Sequence, residues 1–337
     1  MKRKLLSSTP PAHAALSGIV NVRDFGAKGD GRTDDTEAFQ ATINSLDKSK
    51  NKSGWSKSGG VVLVPNGWFK VKGPLDINHG SIRIEGTGGP SIVDRPCWVH
   101  FTGTRGPLFR FAHDARSPGG FSLKNILLAG QGASLPTSAF ELWTGPRGNF
   151  RQNLSWDNVG VCYFGKAFTV KRKPGSGTQV GTLDISRCNF SNCDQAVVFA
   201  DGTSVNRMTI RNSIMRQCRP KQSKPALDIR AFGFVIRDTN LEGNPFALLV
   251  RKSENVSIRD NFFEGNQKIA VRVTGSTDVV VDNNRCYGDY AGKFEFVNSN
   301  RLRIYEPEER IVLENCRDVT GPVMDSRRVV VSTEKSK

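Results

Sequence analysis

Three arginines, Arg211, Arg237 and Arg259, each close a short apolar motif and each precede a polar side chain, Asn212, Asp238 or Asp260. If the motifs stack, the guanidinium groups form one column able to grip carboxylates or sulfates of a sugar chain through paired hydrogen bonds. The plainer reading is a solvated ladder in which Asp238 and Asp260 neutralise the arginines, an arrangement worth little energetically. Asp238 and Asp260 also have two readings. They are the paired carboxylates of a glycoside hydrolase or ligands for Ca²⁺, or they are turn residues that satisfy exposed backbone groups. Glu242 and Glu264, in Leu241-Glu-Gly-Asn and Phe263-Glu-Gly-Asn, form a second carboxylate pair. Two such groups held close push one pKa upward, which suits a general acid, although exposed turns would also carry them. Tyr287 takes the same place in the next copy, with Asp289 and Tyr290 close behind. A tyrosine beside an arginine is an acid/base combination for β-elimination from a uronate.

Aromatic rings supply the other sugar-binding chemistry. Trp143, within Glu141-Leu-Trp-Thr-Gly-Pro-Arg-Gly, reads as a loop residue and the leading stacking candidate. Trp68, Trp98 and Tyr163 are further candidates, whereas Trp156 falls on an inward register and reads as core. The basic segment Arg216–Pro225 reads as the rim of a groove or as a solvated loop.

These residues are placed by a repeat. Asp184-Ile-Ser-Arg, Thr209-Ile-Arg-Asn, Val235-Ile-Arg-Asp, Ser257-Ile-Arg-Asp and Val280-Val-Asp-Asn align, and their last residues lie 25, 26, 22 and 23 apart. Looser copies sit at Leu123-Lys-Asn and Trp156-Asp-Asn. Second strands such as Phe246-Ala-Leu-Leu-Val and Lys268-Ile-Ala-Val-Arg-Val intervene, and no helical segment can serve as a crossover. Successive copies must therefore pair strand on strand, in coils ~4.8 Å apart. The expected fold is all-β, a single-stranded right-handed parallel β-helix, with regular coils over about 121–331. Upstream, Asp34 or Asp35 is placed to cap a helix over about 34–47, whose apolar stripe is Ala38, Phe39, Ala41, Ile43 and Leu46. A flexible leader is expected over 1–18 and one β-helix domain over 19–337.

The totals narrow the partners. The chain carries 48 Lys+Arg against 32 Asp+Glu, a formal net charge of +16, which favours polyanions. No stretch approaches the ~18 continuous apolar residues of a membrane span, so no membrane partner is expected. Nucleic acid ranks last, because aromatic residues are not interleaved with the basic ones. The seven cysteines lack a metal-ligand spacing and read as small buried hydrophobes. Ala12-His-Ala has the form of a signal cleavage site, but the apolar region of a signal peptide is missing before it.

Asn21-Val-Arg-Asp-Phe-Gly-Ala-Lys-Gly-Asp-Gly-Arg-Thr-Asp-Asp-Thr-Glu-Ala-Phe-Gln-Ala resembles the N-terminal signature of the pectate-lyase-like superfamily. Gly59-Gly-Val-Val-Leu-Val-Pro-Asn-Gly-Trp-Phe and Ile84-Glu-Gly-Thr-Gly-Gly are similar to its next two landmarks. The resemblance implies a helix capping a solenoid and a polysaccharide-active protein, acting on an acidic, uronate-type glycan by lyase or hydrolase chemistry. The alternative is a non-catalytic glycan-binding, adhesin or spike-type β-helix. It also implies an extracellular or cell-surface location and a monomer or homotrimer. The Asn-Thr-Asp, Asp-Asp and Gly-His-Gly set of polygalacturonases is missing, as is the Asp-Pro-His-Glu run of alginate epimerases, which counts against those two specific activities.

Overall fold

The computed structural model describes residues 18–46, 59–78, 81–89, 96–111, 120–144, 153–175, 179–218, 224–265, 268–287, 293–305, 311–321 and 329–332. The expected leader up to residue 17, Asp289, Tyr290 and the middle of the 216–225 segment lie outside the described residues. All strand pairings are parallel and join one coil to the next, as in Val235↔Ser257↔Val280. Among the described residues the coils form two sheets, one of 20 strands and one of 11. A regular coil contributes two strands to the larger sheet and one to the smaller, for example Ser204–Arg211, Ile214–Arg216 and Leu227–Ile229. This is the expected right-handed parallel β-helix. One apolar core runs through it from Val20 to Leu313.

The corners explain why this sequence turns where it does. Arg187, Asn212, Asp238, Asp260 and Asn283 all have φ between 48° and 54°. A single left-handed residue bends the chain between two strands, and Asn and Asp tolerate that region best. A second corner follows five residues later, at Asn192, Gln217, Gly243 and Gly265, again with positive φ. The residue after each first corner points inward and carries a polar ladder. The amide of Cys188 donates to Ser213 Oγ (3.1 Å), that of Thr239 to Asn261 Oδ1 (3.2 Å), and that of Asn261 to Asn284 Oδ1 (3.1 Å). At a third corner the amides of Ala231, Ser253 and Ser276 donate in turn to the hydroxyls of Ser253, Ser276 and Ser299. Buried backbone donors left free by the bends are thereby satisfied.

The capping helix α1 spans Thr36–Ser45. Asp35 occupies the N-cap position but its side chain does not cap the helix. It turns back to accept the amides of Lys28 (2.6 Å) and Gly29 (3.2 Å), while Asp34 Oδ1 accepts the Thr36 amide (3.2 Å). Ala38, Phe39, Ile43 and Leu46 are buried, as the stripe predicts; Ala41 is half-buried, and Thr42 fills the face by donating to the Ala38 carbonyl. Asp30 organises the preceding turn. The amides of Thr33 and Arg32 and the Thr33 hydroxyl hold its carboxyl down at about 2, from an ordinary 3.8. Because the folded pKa is depressed, its stabilisation is complete above the ordinary value and is lost as pH falls through about 2. An NMR acid titration should show the Asp30 side chain and the Thr33 amide changing together in that range; a midpoint near 3.8 would contradict the assignment.

Candidate functional site

The deeper hollows do not all lie where the repeat pointed. A cavity of about 450 Å³ opens on the smaller sheet, against Ser138 and Glu141 of strand Thr137–Trp143 and Lys166, Thr169 and Lys171 of strand Lys166–Lys171. Register aligns Ser138 with Lys166 and Gln195, Glu141 with Thr169, and Trp143 with Lys171. One wall is the turn 133–136, pinned by hydrogen bonds from Leu135 to Gly132 and from Thr137 to Leu135. Gly165, packed against that turn, and Asp194 also line the cavity.

Glu141 is buried, with both carboxylate oxygens engaged: Oε2 by Lys171 Nζ at 2.6 Å and Oε1 by Trp143 Nε1 at 2.6 Å. Lys171 also sits 5.5 Å from the centre of the Trp143 ring. Lys166 is different. It is half-buried, and no hydrogen bond or ion pair ties it to another described residue. Burial, then the ammonium groups of Lys171 and Lys224, hold its pKa below the ordinary lysine value, against the opposing pull of Asp194 and Glu141. The Thr169 hydroxyl is buried beside it without a hydrogen-bond partner. A half-buried amine whose pKa lies below the ordinary lysine value, a carboxylate paired with Lys171 and a spare hydroxyl can together move a proton and orient a hydroxylated, acidic ligand.

Gly165 permits this wall. A Cβ there would lie 2.2 Å from the Leu135 carbonyl oxygen, so any side chain must displace the 133–136 turn. Gly165→Ala should cost about 1–3 kcal/mol of stability and reduce ligand binding at the cavity. Thermal unfolding and titration with a uronate oligosaccharide check it; unchanged values would show that the turn yields freely.

Sequence reasoning singled out Trp143 here but missed Glu141, Lys166, Thr169, Lys171 and Asp194. Trp143, expected in a loop, ends the strand Thr137–Trp143, and its indole is tied to Glu141. The other expected residues stand on the larger sheet. Arg211, Arg237 and Arg259 are register partners in successive coils, so the arginine column exists. Its neutralisation differs from the expected scheme: Arg211 pairs with Asp184 (3.3 Å) and Arg237 with Asp238 (3.3 Å), while Asp260 accepts from Asn283 Nδ2 (2.7 Å). Asp238 and Asp260 are left-handed corner residues, which alone accounts for their side-chain type. Glu242 and Glu264 are in register, between Arg216 and Tyr287. Tyr287 is 60% exposed, with its ring 5.2 Å from that of Phe262. None of these four carboxylates lines the 450 Å³ cavity, the hollow at Arg83 and Ser155, or that at Arg207 and Arg237.

The remaining aromatics separate cleanly. Trp156 is 1% exposed and is core, as expected. Trp68 and Trp98 stack on each other at 4.7 Å, and Gly31 lies close against Trp68 as well. Rings stacked from coil to coil strengthen the solenoid rather than offer a free face to a sugar. Among the described residues, no group of three or more His, Cys, Asp or Glu side chains is placed to hold a metal ion. No helix among them is long and apolar enough to cross a membrane.

Comparison with known proteins agrees with the architecture. Residues 19–95 match the family described as rhamnogalacturonase A/epimerase, pectate lyase-like, and residues 176–317 match the right-handed β-helix region. Alginate lyase 7 of Azotobacter vinelandii is 43% identical over 65 residues, covering 19% of this chain and 7% of that protein. Iota-carrageenase of Alteromonas macleodii is 32% identical over 77 residues, covering 23% of this chain and 13% of that protein. The matched segment is thus a small part of either relative. DFA-IIIase from Arthrobacter chlorophenolicus A6 superposes with a TM-score of 0.66 at 11% identity, over 94% of this chain and 87% of that one. The enzymatically active domain of bacteriophage CBA120 tailspike protein 2 does so at 0.63 and 13%, over 94% of this chain and 46% of that one. At such identities the likeness is one of fold.

Proposed function

This chain is a parallel β-helix protein of the pectate-lyase-like kind, and from that premise we propose that it cuts an acidic, uronate-type polysaccharide by β-elimination at the Lys166 cavity. The observation that carries the reading is Lys166 itself, an amine paired with no described residue and with a depressed pKa, on the wall of a hollow large enough for a short sugar segment. In its neutral form the Lys166 nitrogen accepts the proton from the carbon next to the uronate carboxylate. The electron pair left behind forms the new carbon–carbon double bond and expels the glycosidic oxygen, which takes up a proton to become a hydroxyl. Lys171, with Lys224 nearby, offsets the negative charge that builds on the carboxylate. Trp143 and Thr169 help to orient the ring. Support from outside the site comes from the net charge of +16 and from the alginate lyase and carrageenase among the relatives.

A second reading places hydrolysis on the larger sheet. Glu242 and Glu264 are register partners on adjacent coils, with Asp238 and Asp260 at the neighbouring corner and Tyr287 next in line. A coil spacing of ~4.8 Å suits a retaining pair. Incubation with a panel of polyuronates and sulfated glycans separates the readings. Unsaturated-end absorbance supports elimination, and reducing ends without that absorbance support hydrolysis. Saturable, salt-sensitive binding without any cutting would leave a glycan-binding or spike-type protein. On either catalytic reading the protein works outside the cell or at its surface, as a monomer or homotrimer, which light scattering would decide.

A further inference from the structure

The arginine column lies on the larger sheet, whereas the cavity belongs to the smaller one. Along it is a hollow of about 470 Å³ lined by Thr209, Val235, Arg207, Arg211 and Arg237, among others. Arg259 continues the column one coil further. Two nearby carboxylates are engaged, Asp184 with Arg211 and Asp238 with Arg237. Arg207 and Arg259 are exposed, and neither side chain forms a hydrogen bond or ion pair with a described residue. Guanidinium groups stacked at coil spacing repel one another, so this column gains most from an anion laid along it rather than across it. A polymer with an acidic group on each sugar can meet several coils at once. No aromatic side chain lines the hollow, so it offers no platform on which nucleic acid bases would stack.

We propose that this face is a separate holding strip for a polyanionic glycan, which lies along the solenoid axis against Arg207, Arg211, Arg237 and Arg259. The strip takes the same class of polymer as the cavity, but its binding does not require turnover. It therefore stands or falls on binding alone.

The test is the affinity of the full chain for fluorescent alginate, with neutral dextran as control, across a range of salt concentrations. Arg207→Ser/Arg259→Ser should weaken alginate binding roughly tenfold at low salt and flatten its salt dependence. Because these two side chains bond nothing in the fold, the melting temperature should stay as in the parent. Arg207→Lys/Arg259→Lys should retain most of the binding. The proposal is overturned if the double serine variant binds like the parent or if single-stranded DNA binds as tightly as alginate. Absence of cutting in the glycan panel would sink the elimination reading and leave this result intact.

Discussion

Lys166→Met should lower the rate of glycan cutting by about 10²–10⁴-fold while the protein remains folded. Methionine keeps the length and apolar stem of lysine but has no nitrogen to accept a proton. Lys166 makes no ion pair or hydrogen bond with a described residue, so its removal leaves no partner stranded. The rate should also rise with pH through the Lys166 pKa, because only the neutral amine works. That rise should be centred below the ordinary lysine value, since burial and the charges of Lys171 and Lys224 favour the neutral form. Lys171→Met should move the rise upward by removing one of those charges. A full rate in Lys166→Met, or a profile indifferent to Lys171, would place the chemistry elsewhere, with the Glu242/Glu264 column next in line.

Trp156→Ala should cost about 3–5 kcal/mol of stability. Its ring is fully enclosed, edge-on to Phe140 (5.9 Å), Phe168 (5.4 Å) and Phe190 (5.7 Å). Phe140 in turn stacks flat on Phe168 at 5.5 Å, beneath the strands that carry Glu141 and Thr169. The aromatic stack therefore supports from the core side the two strands whose outer side chains line the cavity. Denaturant unfolding measures the loss, and uronate binding should weaken in parallel as the two strands lose their support. Trp156→Phe, which leaves a smaller void, should fall well short of the alanine cost. A loss under 1 kcal/mol in Trp156→Ala would mean that the stack closes up around the gap.

The arginine column was legible because its spacing is near-uniform and its residues alternate with isoleucines that must point inward. The corner residues were legible as a polar series, and their common left-handed backbone gives the reason for the series. The inner ladder was not legible. Its members are Cys188, Ser213, Thr239, Asn261 and Asn284, whose common property is a small buried side chain rather than a residue type. The cavity escaped for a different reason. Its parts come from coils where the repeat is loose, and Ser138, Lys166 and Gln195 become neighbours only through strand register. A signal did exist in Lys166-Ala-Phe-Thr-Val-Lys, where Lys166 and Lys171 flank a buried apolar run and therefore sit at the edge of a face rather than in a loop. Trp143 was singled out for its ring, but its hydrogen bond to Glu141 depends on both side chains leaving the strand on one side, two residues apart.

Elimination and hydrolysis differ in the fate of water, so the most direct measurement is cleavage in water enriched in heavy oxygen, followed by mass spectrometry of the fragments. With each new reducing end reduced by borohydride as it forms, so that its anomeric oxygen cannot exchange with water, elimination through Lys166 predicts an unsaturated sugar on one side of each cut and no heavy oxygen on either. Incorporation of one heavy oxygen per cut, or uncut recovery of every acidic glycan supplied, would contradict it.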